Sequence, residues 1–158
     1  MNIDKYQEIT RDQIPAALTL VKEVFWQFEA PQYSEEGIKE FLSFIARQEI
    51  EDKINKKKMR IWVCLRNEEI VGVLAASANH INLLFVKAEY HRQGIAKKLL
   101  EILIDHTTAD YLSVNSSPYG IMAYQKMGFI AETPEQTVKG IRFTAMKRDL
   151  RKDRDKVV

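Results

Sequence analysis

The sequence predicts an α/β domain, and two observations lead to this fold class. Short apolar runs rich in β-branched residues alternate along the chain with segments whose apolar residues recur every three or four positions, the spacing of a helix face. The composition, 46% hydrophobic and 29% charged, is typical of a globular protein. Because 158 residues suffice for one domain, we expect residues 1–150 to form it and residues 151–158 to be a charged tail.

The predicted elements follow the order βααβββαβαββ, with no low-complexity linker or internal repeat between them. In chain order they are a strand at Tyr6–Thr10, a helix from Asp12 that Ala30–Tyr33 interrupts, a helix from Ser34 to Ile45, a connection at Gln48–Lys58, strands at Arg60–Leu65, Ile70–Ala76 and His80–Val86, a helix at Gly94–His106, a strand at Tyr111–Asn115, a helix from Ser117 to Lys126, and strands at Phe129–Glu132 and Ile141–Lys147.

Capping residues and charge patterns set the bounds of these helices. Asp12 can cap the first helix, and Pro15 lies in its first turn, where a missing N–H has little cost. Ser34 is a suitable cap for the second helix, and Gly128 is a typical residue to follow the end of the last one. The high charge of residues 48–58 predicts a solvated connection.

Turn signals set the bounds of the strands. The four residues Arg66–Glu69 separate two apolar runs and predict a hairpin. Arg148–Val158 alternates charges with little apolar content, so we expect this end of the chain to fray.

Composition also excludes several functional classes. The net charge of +2 provides no large basic field for a nucleic acid, and the single cysteine, Cys64, excludes an internal disulfide and a cysteine-rich zinc site. No apolar run reaches the roughly 18 residues of a membrane span. Residues Met1–Lys5 lack the apolar core of a signal peptide, so we expect a cytoplasmic protein that binds no metal, membrane or nucleic acid.

One loop carries the features of an anion site. The strand at His80–Val86 leads into a loop that ends at Gly94, where the long helix begins. Gly94 lets the backbone approach a ligand, and Ala96 keeps the next position small. Arg92 and Lys97 add positive charge beside the free N–H groups of the helix N-terminus, an arrangement that suits a diphosphate. The loop has neither the Walker A pattern nor the dinucleotide G-x-G-x-x-G pattern.

This segment, Ile81–Leu100, resembles the acetyl-CoA-binding motif of the GNAT N-acetyltransferases, an apolar strand followed by [QR]-x-x-G-x-[GA] at a helix start. His91 stands where Gln or Arg is usual, Gly94 is the motif glycine, and Ala96 takes the Gly/Ala position. Downstream, the segments 115–119 (NSSPY) and 123–129 (AYQKMGF) are similar to a second family pattern. The resemblance implies the GNAT fold, a mixed, mostly antiparallel sheet of about six or seven strands that splays in the middle, flanked by about four helices.

The resemblance also implies how acetyl-CoA would bind. The loop and helix start, His91, Arg92, Gln93, Gly94, Ile95, Ala96 and Lys97, would hold the diphosphate. The backbone of Leu84, Phe85 and Val86, at a bulge where the strand splays from its neighbour, would pair with the pantetheine arm. The Val86 amide would polarise the acetyl carbonyl, and Asn115 would be a further contact.

Two catalytic residues follow from the family pattern and from side-chain chemistry. Tyr124 matches the family's tyrosine, which donates a hydrogen bond or proton to the leaving thiolate. His80 begins the central strand, where some family members carry a catalytic glutamate, and its ordinary pKa near about 6.5 suits a general base. The alternative for Tyr124 is a core aromatic residue, and for His80 a structural role.

The residues that would bind the acceptor amine are predicted only from the family geometry, in which the first two helices line the acceptor slot. Trp26, Glu29 and Tyr33 lie in that region, and acidic residues there could attract a cationic amine. The predicted function is transfer of an acetyl group from acetyl-CoA to a primary amine of a small molecule or peptide. The alternative is a non-catalytic acyl-CoA-binding module that senses the coenzyme. A homodimer is one option for the oligomeric state, which the sequence leaves open.

Overall fold

The computed structural model describes residues 3–155 and contains eight strands and six α-helices in that range. The strands are β1 (Asp4–Glu8), β2 (Arg60–Arg66), β3 (Glu69–Ser77), β4 (His80–Val86), β5 (Tyr111–Ser116), β6 (Ile130–Ala131), β7 (Gln136–Val138) and β8 (Ile141–Asp149). The helices are α1 (Ile14–Val24), α2 (Glu35–Phe44), α3 (Arg47–Asn55), α4 (Ile95–His106), α5 (Ile121–Lys126) and α6 (Arg151–Asp155). No helix in the described range is long and apolar enough to cross a membrane.

The strands form one open sheet in the order β1-β2-β3-β4-β5-β8-β6, with β7 paired to β8. All pairings are antiparallel except that of β4 with β5. This parallel pair is joined at only two positions, His80 with Ser113 and Ile81 with Val114. Beyond them the two strands separate. The predicted mixed α/β fold with a sheet that splays in the middle is confirmed.

A β-bulge in β4 lies at the point where the splay begins. Ala75 of β3 pairs with Leu83, and its neighbour Ala76 pairs with Ile81, so Asn82 is the extra residue. The expected position of the bulge, at residues 84–86, was wrong by two to four residues. A bulge is a feature of backbone pairing between strands, and the side-chain pattern of one strand does not locate it.

Helices cover both faces of the sheet and produce two apolar cores. On one face α1 packs against β3 and β4 around Val21, Phe25 and Val73, all essentially buried. On the other face Leu99, Leu100 and Leu103 of α4 pack over β2 and β3. The open part of the sheet lies between these two layers, so residues from both layers can line it.

Two segments differ from the sequence prediction. The connection expected at Gln48–Lys58 contains α3, because Ile50, one of its few apolar residues, is fully buried and secures a helix that is otherwise charged. The tail expected to fray from Arg148 instead completes β8 and forms α6. Leu150 is fully buried there, and Arg154 donates a hydrogen bond to the Thr107 carbonyl at 2.6 Å. Residues 156–158 of that prediction lie outside the described range.

The turn between β7 and β8 packs directly onto the start of α2. A Cβ atom added at Gly140 would lie 2.3 Å from the Gly37 nitrogen and 2.5 Å from the Ser34 hydroxyl oxygen. Only glycines permit so close an approach of two backbones. No apolar pattern in the sequence predicts β7 or this contact, which connects the closing hairpin to the region after α1.

Candidate active site

A cavity of about 1000 Å³ lies where β4 and β5 separate. One side is formed by β4, the first turn of α4, the end of β5 and the start of α5. The other side is formed by the end of α1, α2 and the β7–β8 hairpin. Most of the predicted site residues line it, namely Glu29, Tyr33, His80, Leu84, Phe85, Val86, His91, Arg92, Gly94, Ile95, Ala96, Lys97, Asn115 and Tyr124.

The backbone of β4 presents free polar groups to this cavity. The Lys87 N–H donates to the Val71 carbonyl of β3 at 2.8 Å, so residue 87 faces the neighbouring strand. Since successive residues of an extended strand point their polar groups to opposite sides, Val86 and Leu84 direct theirs into the splay, whereas the Phe85 backbone faces β3. Extended amide-containing groups can therefore pair with Leu84 and with the Val86 N–H, since the Val86 carbonyl is engaged by His91, and Phe85 contributes its side chain to the cavity.

The first turn of α4 forms an open cradle next to this edge. Its initial N–H groups have no partners within the helix. Gly94 precedes them with φ of 84°, and a Cβ added there would meet nothing within 4 Å. Arg92 also has a left-handed φ, of 65°, and its side chain is exposed, as is that of Lys97. Positive charge, free amides and open space together fit a diphosphate group.

His91 and Gln93 have roles that the family pattern did not indicate. His91 Nε2 lies 2.6 Å from the Val86 carbonyl oxygen, so its side chain connects the loop back to β4. Gln93 is exposed and does not line the cavity. Its side-chain oxygen accepts a hydrogen bond from Arg66 at 3.0 Å, and Arg66 also pairs with Asp4 at 2.7 Å. Gln93 therefore connects the loop to β2 on the side away from the cavity.

Tyr124 is buried and lines the cavity from α5. Its ring packs edge-on against Phe129, with ring centroids 5.3 Å apart. Burial, and secondly the charge of Glu29, raise the pKa of Tyr124. The phenol therefore keeps its proton near neutral pH and can act as a hydrogen-bond donor in the cavity.

His80 lines the same cavity at the start of β4. Its Nδ1 atom lies 2.8 Å from the Ser113 hydroxyl on β5, and burial lowers the pKa of the imidazole below its usual value. The ring is therefore neutral at pH 7, with one nitrogen engaged by Ser113.

Glu29 has chemical properties that the sequence analysis did not predict. It ends a π-helical turn, Phe25–Glu29, that follows α1, and such turns occur frequently at functional sites. Burial raises the pKa of Glu29 to about 7, and a hydrogen bond from the Ser117 hydroxyl acts in the opposite direction. The charge of Glu29 also raises the pKa of Tyr33, Tyr119 and Tyr124, so the carboxylate is near all three phenols. Nothing in the sequence signals the wider turn, which depends on how α1 packs.

The remaining predicted residues are distributed as follows. Tyr33 packs against Phe25, with ring centroids 5.7 Å apart, and lines the cavity next to Glu29. Asn115 lies at the exposed end of β5 on the cavity wall. Trp26 is 51% exposed and is not part of the cavity lining. Within residues 3–155, no three histidine, cysteine or acidic side chains are grouped so that they could hold a metal ion.

Comparisons with known proteins agree with this geometry. A family model described as an acetyltransferase (GNAT) domain matches residues 29–150. The uncharacterised N-acetyltransferase YafP of Escherichia coli K12 is 34% identical over 82 residues, 52% of this chain and 49% of that protein. The peptidyl-lysine N-acetyltransferase YjaB of Salmonella typhimurium LT2 is 31% identical over 96 residues, 57% of this chain and 65% of that protein. The chain thus spans about half of the first relative's length and just under two thirds of the second's.

Solved structures match over most of the chain. A GCN5-related N-acetyltransferase from Rhodopseudomonas palustris has a TM-score of 0.77 at 16% identity, over 95% of this chain and 98% of that one. The PaiA N-acetyltransferase of Thermoplasma acidophilum, in complex with coenzyme A, has a TM-score of 0.74 at 17% identity, over 93% and 99%. At these identities the likeness is one of fold.

Proposed function

The chain belongs to the GNAT acetyltransferase family, and on that premise we propose that it transfers the acetyl group of acetyl-CoA directly to a primary amine. One observation carries the proposal. The opening between β4 and β5 is continuous with the anion cradle at α4 on one side and with a partly buried carboxylate, Glu29, on the other. A diphosphate-containing thioester and a cationic amine can thus approach each other within one cavity.

The residues present fit acetyl-CoA as the cosubstrate, which supplies an activated acetyl group when bound. The amides at the start of α4 would hold its diphosphate, with Arg92 and Lys97 adding charge. The free backbone groups of Leu84 would align its extended arm. The Val86 N–H would donate a hydrogen bond to the acetyl carbonyl, where negative charge develops during attack.

Glu29 is the proposed general base. An amine with a pKa of about 10.4 is protonated at pH 7, and the neutral form it needs for attack costs roughly 4.6 kcal/mol. Two observations support Glu29 over His80 as the group that accepts this proton. Burial raises the pKa of Glu29 to about 7, which strengthens it as a base, whereas burial lowers the pKa of His80. A carboxylate also attracts the ammonium form into the cavity, and a neutral imidazole does not.

Tyr124 completes the reaction on the other side of the thioester. Glu29 accepts one proton from the ammonium, and the lone pair of the neutral amine then forms the C–N bond while the C–S bond breaks with its electrons on sulfur. The nitrogen releases its second proton after attack, which balances the proton that the leaving sulfur takes up to become the thiol. The Tyr124 phenol, kept protonated by burial, donates a hydrogen bond to the leaving sulfur. The products are an amide and CoA.

Release of CoA tests this function. The protein is incubated with acetyl-CoA and a panel of primary amines, and free CoA is measured with a thiol reagent, while calorimetry measures acetyl-CoA binding separately. Amine-dependent release supports acetyl transfer. Binding without release for any amine would instead support a coenzyme-sensing module, and absence of binding to the folded protein would reject both.

Replacing Tyr124 with phenylalanine tests its role. We expect turnover to fall by about a hundredfold or more, since loss of a positioned acid typically has effects of that size. Acetyl-CoA affinity by calorimetry should stay close to that of the wild type, because the ring and its packing are kept. An unchanged turnover number would remove Tyr124 from the mechanism.

A further inference from the structure

The acceptor end of the cavity is apolar and largely aromatic. Six of its side chains have no net charge and present mainly carbon surface, namely Tyr33, Phe41, Phe44, Val138, Ile141 and Phe143. They come from the segment after α1, from α2 and from the β7–β8 hairpin, and none belongs to the coenzyme side. A molecule that fills this end exchanges water for apolar contact over much of its surface.

The charges at this end leave a single carboxylate for a ligand. Three charged side chains of the described range line it, Glu29, Glu40 and Lys139. Glu40 and Lys139 pair with each other across the rim, with 3.9 Å between Lys139 Nζ and Glu40 Oε1. Glu29 forms no ion pair with any residue in 3–155, and it lies deeper, beside Tyr124. The acceptor end therefore offers one negative charge at its base and a neutralised pair at its rim.

The two walls of this end, the β7–β8 hairpin and the segment that includes α2, are in direct contact. The Gly140 turn contacts the backbone of Gly37, and Arg142 Nη1 donates to the Gln32 carbonyl at 3.3 Å. Arg142 is itself held by two hydrogen bonds to Glu135, at 3.1 and 3.2 Å. An extended polypeptide would need a continuous open groove along these walls, whereas a compact molecule can enter with its amine directed at Glu29.

We infer that the acceptor is a small primary amine that carries one positive charge on an apolar body of about the size of an aromatic ring. This inference rests on the proposed acetyl transfer and specifies its substrate class. A second ammonium group would be desolvated at this end with no unpaired carboxylate to receive it, or would face Lys139, and both situations are unfavourable. An apolar body gains about fourfold in binding for each methylene group that it buries.

A matched amine panel tests this inference by kcat/KM, with CoA release as the readout. Hexylamine and 1,5-diaminopentane have the same length and differ in a terminal methyl group against a second ammonium group, and we expect the monoamine to be preferred at least tenfold. Phenethylamine should exceed both, and spermidine and a lysine-containing peptide should be poor acceptors. Preference for the diamine, spermidine or the peptide would overturn the substrate class while leaving acetyl transfer intact. Silence with every amine would reject the transfer itself, and this inference with it.

The Lys139→Asn variant tests the neutralised rim. It frees the Glu40 carboxylate, and asparagine tolerates the left-handed φ of 52° at this position. An ion pair between exposed side chains has a small interaction energy, so the ratio of kcat/KM for diamine over monoamine should rise only about two- to fivefold. Lys57→Asn is the matched control, because Lys57 is exposed, has a φ of 58° and lies outside the cavity. An unchanged ratio in Lys139→Asn would contradict the role assigned to the rim.

Discussion

Replacing Glu29 with glutamine removes the partly buried carboxylate and keeps a side chain of nearly the same shape. The pKa of Glu29 is raised from 4.5 to about 7 by burial, and each pKa unit corresponds to 1.36 kcal/mol, so the ionised form destabilises the fold by about 3 kcal/mol. The Ser117 hydroxyl can donate to the glutamine oxygen as it does to the carboxylate. We therefore expect Glu29→Gln to be more stable than the wild type at pH 8 and less active.

The pH window follows from which state binds the proton. Between about pH 4.5 and 7 the folded protein holds a proton on Glu29 that the unfolded chain has released, so unfolding releases a proton. Raising the pH therefore favours unfolding, and this contribution to stability is fully present below about pH 4.5 and lost by pH 8. Wild type and variant should converge in acid and differ by about 3 kcal/mol at pH 8, roughly 10 °C in Tm for a chain of this length.

Urea denaturation at pH 5 and pH 8 measures the stability difference, and kcat/KM across pH measures activity. Glu29→Gln should be about a hundredfold or more slower, and its kcat/KM should no longer fall as the pH drops below about 7. His80→Gln should keep this fall in kcat/KM. Glu23→Gln, at an exposed position of α1, is the control for a glutamate change on the same helix. Near-wild-type turnover in Glu29→Gln, or equal stability of the two proteins at pH 8, would refute the reasoning.

Two glycine substitutions test the anion cradle at α4 and the contact between the Gly140 turn and α2. Gly94→Ala should weaken acetyl-CoA binding, measured by calorimetry, at least tenfold, because the added methyl group enters the cradle. Gly128→Ala is the control, because Gly128 has a similar φ, 90° against 84°, and this variant should bind acetyl-CoA as the wild type does. Equal affinities of the two variants would contradict the cradle. Gly140→Ala should lower the free energy of unfolding by about 3 kcal/mol or more in urea denaturation, since its Cβ would lie 2.3 Å from the Gly37 nitrogen. A loss no larger than that of Gly128→Ala would show that the turn and α2 do not pack as described.

The elements that the sequence predicted well are those whose signals are local. Alternating apolar runs located the central strands, and the apolar stripe of α4 with Gly94 before it predicted a helix that begins after that glycine. Missed elements depended on distant partners. The helix α3 is stabilised by burial of Ile50, and β7 exists through its pairing with β8 rather than through its own apolar pattern.

The candidate site divides in the same way. The residues proposed for the coenzyme side could be named from the sequence because one continuous segment supplies the strand edge, the loop and the helix start, and all but Gln93 line the cavity. The acceptor side brings together residues far apart in the chain, and Glu29, whose pKa is raised to about 7, was expected only to attract a cation. Its pKa is raised by surroundings that come from distant parts of the chain, and Glu29 lies among them because it ends a wide helical turn.

The amino-acid order by itself determined the α/β class, the family and the segment that can hold a diphosphate, because backbone conformation at a helix start depends on neighbouring residues. Only the tertiary structure decided where the sheet opens, which carboxylate is desolvated and how the acceptor end is closed. These properties arise from contacts between residues such as Gly37 and Gly140, whose proximity no local pattern encodes. Desolvation and charge pairing depend on three-dimensional distance, and so the chemistry of the acceptor end does as well.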